Sequence, residues 1–467
     1  MTPALGRVWL AAAGASLGAL YGCGHEPGWL PILALVAGAG MLLRRRAAIR
    51  LVGVAAAAFA FGSIGSMARC EPEGVLSVLA ARVPACRATG HILEAAGGLG
   101  TLAAIEWIDC EGFAALTGAG VVVVDGDIAE AGASFSARGW LIPLGTDSFD
   151  RARRRLGAHA QLDAVALATR PPASGPLALA ARIRGGLRTA TEPLDERSAA
   201  LLRGLAIGDV AALDEGTIEV FRRSGLSHLL AVSGSNVAIV VASVGSLAAR
   251  LGLRARLFLS SLALALFVLI VGPDPSVLRA AAMGGIGLAV IAFGARAEPL
   301  HALGIAVTVV VLLRPGLVYS VGLHLSVAAT AGIVLWTRHL GAGLSWMKPR
   351  LLGLALAATL AAQIAVAPVL ALVFGSLSVV APAANLLAMP AVPPATILAL
   401  AAGAAGSVAP GLGHLLARCG APFAAWILWT GDLFGEVPWA TVDVPEAAGW
   451  LLAVPTCCAA ALALRRL

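Results

Sequence analysis

Several stretches of this chain carry no formal charge over lengths that suit a bilayer. Leu351–Phe374 is one, and Val8–Leu20, Leu257–Gly272 and His301–Leu313 are others. A hydrocarbon core of about 30 Å takes about 20 apolar residues as a helix. Lipid admits only helices and closed barrels, because nothing else pairs every backbone polar group. Charged residues make up 13% of the 467 residues, against roughly 25% in a soluble domain. The chain is therefore expected to be a polytopic α-helical membrane protein with about 12 spans. Alanine and glycine dominate the apolar runs, so helix backbones can approach closely.

The net charge of +7 first reports topology, because cytoplasmic loops hold the excess Lys and Arg. Arg44, Arg45, Arg46 and Arg50 mark the first inner loop. Arg7 precedes an apolar run to Tyr21 and a second run starts at Trp29, so both read as membrane helices rather than a leader. Residues 1–69 are expected to hold N-terminal transmembrane helices, and residues 70–188 an extracytoplasmic domain. Residues 189–225 read as amphipathic surface helices, and residues 226–467 as a second membrane domain. A helix over Leu226–Ala248 runs inward, and the later spans alternate so that nearly every basic cluster lies on one side.

The insert reads as β-rich. His91–Glu94, Leu102–Ile108, Val121–Val124, Phe135–Leu144 and Ala164–Ala168 are short strand-like runs separated by Gly-rich turns. A helix-like stretch, Asp147–Ala160, precedes the last. This pattern suits an OB-like β-barrel, with a plain β-sandwich as the alternative. Cys70, Cys86 and Cys110 fall in the insert, and an oxidising compartment allows one disulfide, expected as Cys86–Cys110. Further along, Asp214 is expected to cap a short helix that carries Ile218 and Phe221 and stops at Gly225.

In Ser224–Ser246, His228, Ser235, Asn236, Ser243 and Ser246 fall within an arc of about 100° on a single helix. Such a stripe faces protein or water, as interhelical packing or as a solvated path. Pro382, Pro390, Pro393 and Pro394 break a helix around Asn385. That break is either a pore element or a loop near the interface. Arg279 lies one turn into a helix, where it either meets an anionic substrate or snorkels to the interface. Arg151, Arg153, Arg154 and Arg155, with Arg182, Arg184 and Arg188 further on, form either a nucleic-acid groove or a solvated face. Trp107 and Trp140 read more readily as core than as stacking platforms. Asp125, Asp127 and Glu130 could gather a metal ion, although Asp-Gly-Asp is a common turn. No P-loop or HxHxDH cluster occurs. A hydrolytic pairing of Ser233 with His228 fails, because five residues on a helix point about 140° apart.

LLRGLAIGD…LDEGTIEVFRRSGLSHLLAVSGSNVAIVV, over Leu201–Val241, resembles the signature of the ComEC-type competence family of DNA-uptake membrane channels. PSVLRAAAMGG at Pro275–Gly285, GLHLSVAATAGI at Gly322–Ile333 and APVLALVFGSLSVVAPAANLLAMP at Ala367–Pro390 resemble its later elements, in order. The resemblance implies a channel that passes single-stranded DNA across the bacterial cytoplasmic membrane during natural transformation. It implies no enzyme activity and no cofactor. The expected pore residues are His228, Ser233, Ser235, Asn236, Arg279, Ser326, Asn385 and Pro390, and the expected DNA contacts are Arg151, Arg153, Arg154 and Arg155. Expected partners are single-stranded DNA, membrane lipid, a DNA receptor, a cytoplasmic helicase, a separate nuclease and a second copy of the chain. Many members read SGLHV where this chain reads SGSNV, and many carry a metallo-β-lactamase-like domain that is not seen before Leu467. The alternative is a secondary transporter of a small solute.

Overall fold

The computed structural model describes residues 75–95, 100–124, 132–145, 150, 153–154, 158–172, 174–210, 212–230, 234–272, 275–293, 299–313, 321–445 and 456. The passes expected before Cys70 and after Trp450 lie outside them. So do Asp125, Asp127 and Glu130, and the greater part of the helix-like stretch Asp147–Ala160. The chain divides into two compact units, one holding the β-structure and the other most of the helices that follow residue 181.

The first unit begins with a short helix, α1 (Val75–Ala80), and continues through β1 (Ala85–Ala95), β2 (Thr101–Cys110), β3 (Leu116–Val124), β4 (Ser134–Ile142) and β5 (Ala160–Arg170). The five strands close into a barrel of order β1-β2-β3-β5-β4. β4 pairs back onto β1, and only β3–β5 is parallel. This is an OB-like barrel, as the spacing of the strand runs suggests. Alternation fills it. Ile92, Ile108, Phe135, Leu141 and Leu162 point inward, with Leu76 of α1 buried among them.

Two glycines let the barrel turn its corners. A Cβ at Gly90 would lie 2.0 Å from the carbonyl oxygen of Ala104, and one at Gly139 would lie 1.9 Å from that of Asp163. Both sit at register shifts in the ladder, where bulges bend a strand. Cys86 faces Cys110 across β1 and β2. The Glu111 amide donates to Ala85 O, so Cys86/Cys110 is the neighbouring non-hydrogen-bonded pair, in which Cα atoms come closest. They are 4.1 Å apart and joined by a disulfide.

The second unit is helical. Its elements are α2 (Gly175–Thr191, from residue 182), α3 (Glu196–Ile207), α4 (Glu215–Ser224), α5 (Gly234–Leu247), α6 (Leu253–Val271), α7 (Pro275–Ala292), α8 (Pro299–Leu313, to residue 310), α9 (Val321–Gly343) and α10 (Arg350–Phe374). A two-stranded ribbon of β6 (Ser376–Ser378) and β7 (Thr441–Asp443) brackets α11 (Ala381–Ala388), α12 (Val392–Gly406) and α13 (Pro410–Gly435). Among the described residues, five helices are long and apolar enough to cross a membrane: Gly234–Leu251, Leu253–Val271, Val321–Gly343, Arg350–Phe374 and Ala381–Gly406. Val277–Ala292 and Pro299–Leu313 are shorter and apolar. Large side chains such as Phe258, Leu262 and Leu354 face outward from these helices, where lipid is their natural solvent.

Small residues set the closest crossings. A Cβ at Gly186 of α2 would meet the Gly403 carbonyl at 2.4 Å, and one at Gly406 would meet the Gly186 carbonyl at 2.5 Å. Gly413 of α13 lies against Gly406 in the same way. Three backbones thus touch with no side chain between them, as membrane helices do where dispersion rather than water drives association.

Replacing Cys86 and Cys110 with serine is expected to destabilise the barrel by about 3 kcal/mol, given the loop the bond closes. Hydrogen–deuterium exchange on the full chain checks this. β1 and β2 should exchange faster in the variant, and unchanged protection would show that the bond contributes nothing.

Candidate functional site

α4 is built by its caps. Asp214 accepts from the Thr217 amide at 2.8 Å and from the Thr217 hydroxyl at 2.6 Å. At the other end Gly225 takes a left-handed conformation, φ 74°. The Leu226 amide closes back onto Phe221 O, which completes a Schellman turn. Phe221 is buried and lies against Gly431 of α13, where a Cβ would meet its ring at 2.8 Å. Arg197 of α3 reaches both ends of this contact, donating to Thr217 Oγ1 and to both carboxylate oxygens of Asp432 on α13.

This capping corrects the expected helix start. The chain leaves Gly225 into a short 3-10 turn, Ser227–Leu229, and the described part of α5 runs from Gly234. His228 is therefore not on the stripe. It sits exposed on the turn, off the axis of α5. Ser233 lies outside the described residues. Ser235 and Asn236 occupy the first turn of α5, Ser243 is half-buried and Ser246 is exposed. Asn236 is 1% exposed and donates from Nδ2 to Leu205 O on α3 at 3.0 Å.

Arg279 lies on α7 and is 5% exposed. Its NH1 donates to Thr330 Oγ1 of α9 at 3.0 Å, with Met283 Sδ at 3.6 Å. Thr330 in turn donates to Ser326 O at 2.9 Å, which leaves its lone pairs for the guanidinium. A Cβ at Gly234 would lie 2.9 Å from Arg279 NH2. Among the described residues no carboxylate pairs with Arg279. The first turn of α5, the arginine of α7 and the threonine of α9 therefore meet at one place.

The helix break lies elsewhere than expected. α11 runs unbroken through Asn385, whose side chain is buried and donates to Ala381 O at 2.8 Å. The interruption is the 3-10 turn Met389–Ala391, centred on Pro390. Pro390 has no amide to donate, and the indole N–H of Trp426 donates to Leu387 O beside it.

The barrel arginines also differ from expectation. Arg153 donates to Asp150 and Gln161. Arg154 donates to Leu144 O, at 3.1 Å, and to Gly145 O. Both brace the chain before β5 instead of facing solvent, while Arg151 and Arg155 lie outside the described residues. In the helical unit, Arg184 is buried and caps the last carbonyls of α6, Leu269 O and Ile270 O. Arg188 pairs with Asp209. Trp140 is 46% exposed, because the period of β4 puts it on the outer face with Arg138. Arg87 is exposed and pairs in register with Arg138 on the adjacent strand. The sequence pattern singles out neither Arg87 nor Arg138 and favours core for Trp140, although the alternation of Ser134, Ser136 and Arg138 carries the outward signal. Among the described residues no group of three His, Cys, Asp or Glu side chains gathers as a metal site.

Four stretches far apart in sequence thus interlock. Asn236 reaches Leu205, Gly225 lies against Ala381 with room for no Cβ, Gly234 faces Arg279, and Arg279 holds Thr330. A family model described as "Competence protein" matches residues 205–467, more than half of the chain. The chain belongs to the competence-protein family. The matched region contains every one of those contacts. Among curated proteins, "ComE operon protein 3" of Bacillus subtilis (strain 168) is 29% identical over 196 residues, 41% of this chain and 24% of that protein. The chain therefore spans about a quarter of the length of that relative. No solved structure matches. Family and apolar helices together make this a membrane protein of the ComEC type.

Asn236→Leu leaves Leu205 O buried without its Asn236 donor, a loss of about 1–3 kcal/mol. Thermal unfolding of the detergent-solubilised protein should show a lower midpoint, and an unchanged one would remove the bond from the account. The bonds from Thr217 hold the Asp214 carboxyl below its ordinary pKa. The cap is therefore at full strength above the unfolded value of about 3.9 and is lost as pH falls through the lower folded value. Amide exchange at Thr217 should accelerate over that acidic window in the native protein. Asp214→Asn, which caps without titrating, should abolish the pH dependence of that amide's protection relative to its intrinsic exchange rate.

Proposed function

We propose that this protein is a conduit for single-stranded DNA across the bacterial cytoplasmic membrane during DNA uptake. The observation that carries the reading is Arg279, a cation held inside the helical unit by neutral partners. A charge at membrane depth is costly, and by default it marks a substrate path. A polyanion in transit supplies transient counter-charge without a fixed acid, and conduction needs contacts that are favourable but releasable.

In this reading residues 70–188 form an extracytoplasmic OB-like domain, residues 189–225 surface helices and residues 226–467 the channel domain. Residues 1–69 add transmembrane helices toward a total of about 12. Ser235, Asn236, Ser326, Asn385 and Pro390 shape the path around Arg279, with His228 toward its outer mouth, and Ser233 is a further pore candidate by sequence alone. On the barrel, outward Arg87, Arg138 and Trp140 are better placed than Arg153 or Arg154 to engage a strand by charge and stacking. The protein acts on DNA by passage rather than by chemistry. A receptor, a helicase and a nuclease are the partners that this reading expects.

The test is uptake of labelled DNA by a deletion strain rescued with single variants. Arg279→Met is expected to reduce uptake at least about tenfold at normal expression, which corresponds to about 1.4 kcal/mol on the path. Arg87→Ala with Trp140→Ala should weaken capture at the surface. Normal uptake by Arg279→Met would sink the path assignment.

A further inference from the structure

Two positive features face each other at the start of α5. One is the amino end of that 14-residue helix, which carries the partial positive charge of its aligned peptide dipoles. The other is the Arg279 guanidinium, 5% exposed, whose NH2 lies 2.9 Å from where a Gly234 Cβ would stand. Like charges brought together away from water are unfavourable unless an anion lies between them. Among the described residues none does.

The guanidinium is also oriented. NH1 is engaged by Thr330 Oγ1 and Met283 Sδ. Nε is buried and has no hydrogen-bond partner. The Nε/NH2 edge is the planar fork that receives two oxygens of a phosphate or carboxylate together. Thr330 is positioned in turn by its bond to Ser326 O, so α9 holds the arginine with its fork turned to the side. Gly234 lets NH2 pack directly against the first turn of α5, at a distance that a side chain there would not allow.

We propose that the Nε/NH2 edge of Arg279 and the amino end of α5 form a subsite for a single phosphate group. Arg279 supplies the fork, the α5 dipole the field, Thr330 the orientation and Gly234 the close approach of α5 to the guanidinium. The site needs only a tetrahedral oxyanion. That the phosphate belongs to a nucleic-acid backbone rests on the conduit reading above.

The experiment uses the full chain in nanodiscs of zwitterionic lipid. Inorganic phosphate is scored by its shift of the unfolding midpoint. A fluorescent dT12 oligonucleotide and its uncharged methylphosphonate analogue are scored by binding. Wild type should be stabilised by phosphate and should bind dT12 in preference to the analogue. Arg279→Met should lose the phosphate shift and bind dT12 about 30-fold or more weakly, the usual consequence of deleting one member of a buried charged contact. Thr330→Val should fall between the two. A phosphate shift that depends on Arg279 without dT12 binding would uphold the subsite and remove the DNA reading. An equal phosphate response and equal dT12 binding in wild type and Arg279→Met would overturn the subsite while leaving DNA binding in place. No phosphate response in wild type overturns it as well. Should Arg279→Met fail to fold, Arg279→Lys carries the same comparison. It keeps the charge but not the fork, and equality with wild type overturns the proposal.

Discussion

A guanidinium that no acid among the described residues neutralises organises the helical unit. Arg279 is held by a threonine hydroxyl, a thioether and the edge of a glycine, none of which cancels its charge. Holding such a cation away from water draws on the stability of the whole bundle. The neighbouring helices are arranged to make it possible. α9 presents Thr330, with its own proton sent to Ser326 O, and α5 starts on a glycine so that its first turn can come close. Asn236 then anchors that turn to α3 through Leu205 O, and the Schellman turn at Gly225 ends α4 before the 3-10 turn Ser227–Leu229.

Glycine and alanine make the rest of the framework possible. The contacts of Gly186 with Gly403 and of Gly406 with Gly413 are backbone against backbone. A bundle packed this way has few large side chains to bury and keeps its bulky ones, such as Phe258 and Leu354, for its outer surface. The OB-like barrel follows the opposite logic. It is filled by Leu, Ile, Val and Phe in alternation and joined across β1 and β2 by a disulfide. One chain thus builds one unit on the rules of a hydrocarbon solvent and another on the rules of water.

Much of this was legible in the sequence wherever local pattern decides. The alternation of β4 and the Gly-rich turns gave the five strands. Asp214 with Gly225 gave α4 with both caps, and uncharged runs gave α10 to within one residue and the end of α6, although α6 starts at Leu253, before Arg254 and Arg256. Tertiary geometry decided the rest. A helical wheel drawn from His228 through Ser246 ignores the Schellman turn at Gly225 and the 3-10 turn that carries His228. Four prolines suggested a break at Asn385, but a proline in the first turn of a helix is harmless. Pro382 therefore opens α11, and Pro390 is the one that interrupts. Arg153 and Arg154 are drawn in by carbonyls and an amide oxygen that no periodicity reveals. Trp140 reads more readily as core than as a stacking platform, whereas its position in the alternation of β4 puts it outside.

The account turns on whether a DNA strand passes beside Arg279. A photoreactive amino acid placed at Thr330, in cells caught during uptake of labelled DNA, tests this most directly, with the outward position Phe258 as the comparison. The account predicts a covalent DNA adduct at position 330 and none at position 258. Adducts at 258 alone, or equal yields at the two positions, would contradict it.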